Sequence, residues 1–191
     1  MRVTYLTGER VYLRAMVEAD KDVGIAWWPG PFLVNAARAE EWLKEEHKEF
    51  YTKRTHWYAI VRVADEAVIG SVELQDRDHR RGTVVFHMAP ALAAADVLRA
   101  DALRLVVPWV RDDLELMVLT LVCAADETET LAAARELGMD ESVRLREFVA
   151  RPGGRVDRVF MEMLNKPWRV EAADEALAPA LAQAETEAPH A

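Results

Sequence analysis

Three side chains in the middle of this chain are of types that could do acid–base chemistry. Glu73 lies in the alternating run Ala67–Gln75 (AVIGSVELQ), facing opposite Val72 and Leu74, where a carboxylate could take up a proton through a water. His87 stands between Phe86 and Met88 in Thr83–Met88 (TVVFHM) and offers an imidazole, a base that works near neutral pH. Cys123 closes the apolar run Leu116–Cys123 (LMVLTLVC), and its thiol could donate a proton to a leaving group. Each also has a plain structural reading: Glu73 as a solvent-facing strand residue, His87 as a packed histidine, Cys123 as a small core residue. Trp27, Trp28 and Phe32, with Trp42, cluster around a Pro-Gly-Pro segment and could form either an apolar pocket or a cap on the core. Arg77, His79, Arg80 and Arg81 alternate with acids and read as a solvated loop. His47 stands among glutamates with no metal-ligand spacing, so no metal site is expected.

The elements that must position these groups follow from periodicity. Alternation over Glu9–Ala15 predicts a half-buried strand, and Val17–Ala26 a short helix. Asn35 can cap a helix over Ala36–Phe50. Trp57–Val63, Ala67–Gln75 and Thr83–Met88 form an antiparallel meander. Leu98–Val110 has one apolar helical face, with Pro108 expected to kink or shorten it. Leu116–Cys123 is apolar enough to be buried on both faces. Asp126 or Thr128 can cap the next helix, Gly138 ends it, and Arg151-Pro152-Gly153-Gly154 joins a closing hairpin. The succession Thr83 to Met139 places a loop and a helix N-terminus directly after a strand, a natural anion site.

Composition narrows the function further. The chain has 191 residues, a net charge of −9, and a single cysteine. The acidic balance argues against broad nucleic-acid binding, and one cysteine excludes an internal disulfide. No apolar run approaches the ~20 residues of a membrane span, nor that of a secretory leader, so a cytoplasmic protein is expected, with no membrane partner. One domain over residues 1–167 is expected, followed by an acidic Ala/Glu-rich tail, 168–191, that is expected to be flexible.

The order of these segments resembles the GNAT superfamily of N-acetyltransferases, in its ribosomal-protein-alanine acetyltransferase branch. GERVYLRA is similar to the branch's first strand, AVIGSVEL to its third, Asp101–Val110 (DALRLVVPWV) to its cofactor-loop helix, and ARELGM to its leucine-glycine-aromatic ending. VRLREFVARPGGRVDRVFMEML resembles its closing hairpin. The resemblance implies an α/β fold with a mostly antiparallel mixed sheet, splayed parallel strands four and five, and flanking helices. It implies acetyl-CoA as cosubstrate, an amine acceptor that attacks the thioester directly, and a homodimer. Glu73, His87 and Cys123 become the catalytic candidates, and Trp27, Trp28 and Phe32 the acceptor wall. Backbone groups of His87, Met88 and Ala89 would pair with the pantetheine arm. Ala94, Ala95, Asp96, Val97, Leu98 and Arg99 would face the pyrophosphate, joined by Glu127 and Thr130.

The pyrophosphate loop departs from the family pattern. Leu92–Leu98 (LAAADVL) has no glycine where the family has two small positions. Asp96 would set a charge against the pyrophosphate, costing about 1–4 kcal/mol, unless Arg99 offsets it or Asp96 caps a helix and points away. The alternative function is therefore a non-catalytic GNAT-fold module that has lost its cofactor loop.

Overall fold

A computed structural model describes residues 6–29, 34–48, 55–76 and 80–165. Phe32, residues 77–79 of the basic run, and the tail 168–191 lie outside the described residues, as does the side chain of His47.

The chain runs β1 (Leu6–Thr7), β2 (Val11–Ala15), a 3₁₀ turn (Glu18–Val23), α1 (Gly24–Trp27), α2 (Ala36–Lys48), β3 (Thr55–Arg62), β4 (Val68–Asp76), β5 (Arg81–Met88), α3 (Ala95–Asp112), β6 (Val118–Ala124), α4 (Thr128–Glu136), β7 (Asp140–Arg151) and β8 (Gly154–Leu164). All eight strands join one sheet in the order β1-β2-β3-β4-β5-β6-β8-β7. Among the described strands only the β5–β6 pair is parallel. This is the mixed α/β architecture that the family resemblance implied. The two-residue β1 adds a strand, so the splayed pair of the expectation is β5 and β6.

Helices cover both faces because both faces are apolar. Val11, Leu13, Ile60, Val72, Leu74, Val84, Leu119 and Leu121 pack with α3 and α4 on one side. Tyr12, Ala59 and Val61 pack with Trp27, Ala39 and Leu43 of α1 and α2 on the other. Burying both faces of β2 overrides the half-buried strand its alternation predicted. Pro108 does not shorten α3, which runs on to Asp112. Val106, Val107 and Val110 are fully buried around it, and that packing offsets the hydrogen bond proline removes.

Asn35 caps α2 as expected, its Oδ1 accepting the Arg38 N–H at 2.9 Å. Gly138 ends α4 in the left-handed region, at φ 85°. The α4 start differs from expectation. Neither Asp126 nor Thr128 caps it; the cap comes from Asp96 of α3, whose carboxylate accepts the Glu129 N–H at 2.8 Å and the Thr130 N–H at 3.1 Å. Asp126 instead pairs with Arg151 of the closing hairpin at 2.8 Å.

One contact in the sheet tolerates no side chain. A Cβ at Gly70 would lie 2.4 Å from the His87 carbonyl oxygen and 3.0 Å from Met88 Sδ. A backbone oxygen can yield only if β5 moves. Gly70→Ala should therefore cost about 1–3 kcal/mol in urea unfolding, and an unchanged midpoint would show that β5 is free to shift.

Candidate active site

β5 and β6 part company part-way along. Their parallel register runs from Arg81↔Val118 to Val85↔Val122 and stops, although β5 continues to Met88 and β6 to Ala124. β4 stays paired with β5 to Met88, and β8 with β6 to Ala124. A gap therefore opens between Phe86–Met88 and Cys123–Ala124. The Ala89 N–H bonds to the Ile69 carbonyl at 2.9 Å. Backbone groups of successive strand residues point to alternate sides, so those of His87 and Ala89 are turned to β4. Of the three residues expected to present backbone to the gap, only Met88 does so. Phe86 is the other, and sequence reasoning did not single it out.

Beside this gap sits a carboxylate held from two sides. Glu73 Oε1 accepts from Gln75 Nε2 at 2.7 Å, and Glu73 Oε2 lies 3.2 Å from His87 Nε2. The Glu73 side chain is 13% exposed and that of His87 20%, so the pair is shielded but reachable. The sheet register brings them together. Glu73 stands opposite Val85 on β5 and Trp57 on β3, and His87 opposite Ser71. The ring of Trp57 stacks on His87, with centroids 5.4 Å apart and planes at 25°. A carboxylate so placed can receive a proton, and the stacked imidazole holds it in place.

The tryptophans reach this pair in a chain. Trp27 contacts Trp28 and Trp42 at 6.0 and 5.4 Å, and Trp42 meets Trp57 edge-on at 5.2 Å. Trp27 itself is fully buried. Its indole N–H donates to the Asp20 carbonyl and its own carbonyl accepts from Ser71 Oγ, both at 2.8 Å. Asp20, 3% exposed, takes two bonds from the Arg14 guanidinium at 2.7 and 2.8 Å. Trp27 is thus core, Trp28 and Trp42 are half-buried, and Trp57 touches the catalytic candidates. Sequence reasoning missed Trp57. Its alternation with Tyr58 gave its face, but the two-strand step to His87 needed the register.

Cys123 stands on the opposite face, packed with the α3 and α4 core. Burial, followed by the Glu127 charge, pushes its thiol up to about 12 from 9.0. A thiol that holds its proton so tightly is a poor acid toward an ordinary thiolate, whose pKa is about 8.5. At pH 8 the native protein should react with a thiol reagent at least ~100-fold more slowly than the unfolded chain, because only the thiolate attacks. Similar rates would place the thiol in the open gap instead.

The loop expected to face a pyrophosphate leads into an uncapped helix. The N-cap of α3, Ala94, takes the left-handed conformation, φ 56° and ψ 31°, and no side chain caps the helix. The charged residues just inside it are turned to α4. Besides the two α4 N–H groups, Asp96 Oδ1 accepts from Thr130 Oγ1 at 2.6 Å. Arg99 pairs with Glu127 at 2.8 Å, and Arg151 reaches the same carboxylate at 3.0 Å. Asp96, Arg99, Glu127 and Thr130, four of the expected cofactor residues, therefore form one network between α3, α4 and the hairpin. Both alternatives that the sequence left open for Asp96 are met: Arg99 Nη1 lies 4.0 Å from its carboxylate, and the carboxylate caps a helix, though not its own. No group of three or more metal-ligating side chains occurs among the described residues, and no described helix is long and apolar enough to cross a membrane.

Residues 10–140 match the family model described as "Acetyltransferase (GNAT) domain". The chain belongs to the GNAT acetyltransferase family. It is also 47% identical to the crystal structure of a "putative acetyltransferase" from Sphaerobacter thermophilus, covering 86% of this chain and 99% of that one with a TM-score of 0.68. Two more distant structures share the GNAT fold. The ribosomal-protein-S5-alanine acetyltransferase of Vibrio fischeri is 13% identical, with 87% and 99% of the two chains covered and a TM-score of 0.65. The spermidine N-acetyltransferase of Vibrio cholerae is 19% identical, with 84% and 97% covered and a TM-score of 0.60. A search of curated proteins returns no match. This GNAT chain is accordingly an acetyltransferase, and its chemistry is acetyl transfer.

Proposed function

We propose that this enzyme moves an acetyl group from acetyl-CoA to a primary amine, either a peptide N-terminus or a small amine, by direct attack. The observation that carries the proposal is the carboxylate of Glu73, fixed between Gln75 and His87 at the place where β5 and β6 separate. The sequence resemblance to the ribosomal-protein-alanine branch favours a peptide N-terminus. The fold likeness extends equally to an enzyme named for spermidine, which keeps small amines within the reading.

The residues present fit acetyl-CoA. The free edge of β5 at Phe86 and Met88 can bond an extended arm. The uncapped N-terminus of α3 can face a pyrophosphate, with Asp96 turned aside. When bound, acetyl-CoA supplies an activated thioester. Glu73 takes the proton that keeps an ammonium from attacking, directly or through a water, and His87 with Trp57 keeps the carboxylate aimed. The C–N bond then forms as the C–S bond breaks, and the second proton lost by the attacking nitrogen passes through solvent to the departing thiolate.

Thiol release on mixing the protein with acetyl-CoA and a panel of primary amines tests this directly. Acetyl-CoA at about 100 times its dissociation constant should also raise stability by about 2.7 kcal/mol. Absence of both thiol release and thermal shift at millimolar acetyl-CoA would overturn the proposal.

A further inference from the structure

A cleft of about 730 Å³ opens on the sheet face that carries Glu73. Gln75, which holds the Glu73 carboxylate, lines it. Its floor continues the row that begins at Glu73: Val85, then Val122, then Phe160, each opposite the last across β5, β6 and β8. Next to Phe160 on the same face of β8 stands Arg158. Its guanidinium lies 4.4 Å from the Phe148 ring. Among the described residues no carboxylate pairs with it, whereas Arg99, Arg144 and Arg151 are each ion-paired. On the other side of Phe160 the cleft holds Glu162, and at its far end Arg81.

A half-buried cation without a counter-ion, at the end of an apolar track that starts at a base, is arranged for an anion. We infer that the acceptor is an amine joined through an apolar spacer to a carboxylate, with Arg158 as the carboxylate's partner. The inference rests on the reading of Glu73 as the base for an amine. The row from β4 to β8 crosses three interstrand spacings, about 14 Å, and Arg158 stands two residues, about 7 Å, along β8 from Phe160, so the diagonal from Glu73 is about 16 Å. Hydrogen bonds of about 2.8 Å at each end leave about 10 Å, the span of roughly seven methylenes. Glu162 would repel a carboxylate from the other side of Phe160 and so direct it to Arg158.

The probes are 8-aminooctanoate and heptylamine, the same chain without its acid, with binding measured by calorimetry and transfer by acetyl-CoA-dependent thiol release. The acid-bearing amine should bind the native protein about 10- to 100-fold more tightly, as expected for a charge-assisted bond. In Arg158→Gln that preference should fall to about 2-fold or less, while Glu162→Gln should keep or enlarge it. Equal binding of the two amines, or a preference that survives Arg158→Gln, would overturn the inference. The two readings fail separately. Transfer to both amines without preference leaves the base reading standing and removes Arg158. An Arg158-dependent preference without thiol release leaves the carboxylate site standing and removes the transfer.

Discussion

Glu73→Gln should lower kcat/KM for an alkylamine by about 10²- to 10⁴-fold, the usual worth of a positioned general base, or about 3–5 kcal/mol of barrier. The amide is the same size as the carboxylate, so it keeps a hydrogen bond to Gln75 and leaves the β4–β5 pairing intact. What it loses is the ability to take a proton. An aromatic amine, already neutral at pH 7, needs no proton removed before it attacks, so its loss should be much smaller. A uniform drop for both kinds of amine would point to distortion of the site rather than to loss of a base. A drop of less than ~10-fold for the alkylamine would transfer the role away from Glu73.

Asp96→Ala should destabilise the protein by about 2–3 kcal/mol. The carboxylate bonds two N–H groups at the start of α4 and the Thr130 hydroxyl. Loss of a helix cap costs about 0.5–2 kcal/mol. Thr130 is fully buried, so its hydroxyl is left without that partner, at about 1–3 kcal/mol; the two costs overlap because the groups share one network. Affinity for acetyl-CoA should not improve, since the removed charge faces α4 rather than the loop before α3. Urea unfolding and calorimetric titration read the two effects independently. Tighter binding with less than ~0.5 kcal/mol lost would put the carboxylate on the phosphate side.

These variants separate what could be read along the chain from what could not. Alternation, apolar runs and turn residues, which are local properties, gave the strands, the helices and the meander; the divergent parallel pair and the gap between them came from the family resemblance of the segment order. Asn35, Gly138 and the Pro152–Gly153 turn acted as expected because caps and turns bond within a few residues of themselves. Glu73 and His87 were also legible as chemistry. That they touch was not: they are 14 residues apart in sequence, and only the β4–β5 register sets one carboxylate beside one imidazole.

The rest was decided in three dimensions. Asp96 read as a charge against a cofactor because its neighbours in sequence stand where the resembling family has its phosphate loop; folding gave it a neighbour 33 residues away, the N-terminus of α4, whose N–H groups attract a carboxylate. Trp57, Gln75 and Arg158 carry no motif, and only strand pairing brings them to the proposed site. Local sequence thus fixed which elements form and which faces are apolar, since those depend on spacing along one chain. The partners of the charged and aromatic groups depended on the register between strands and on the approach of one helix end to another, distances that no local pattern encodes.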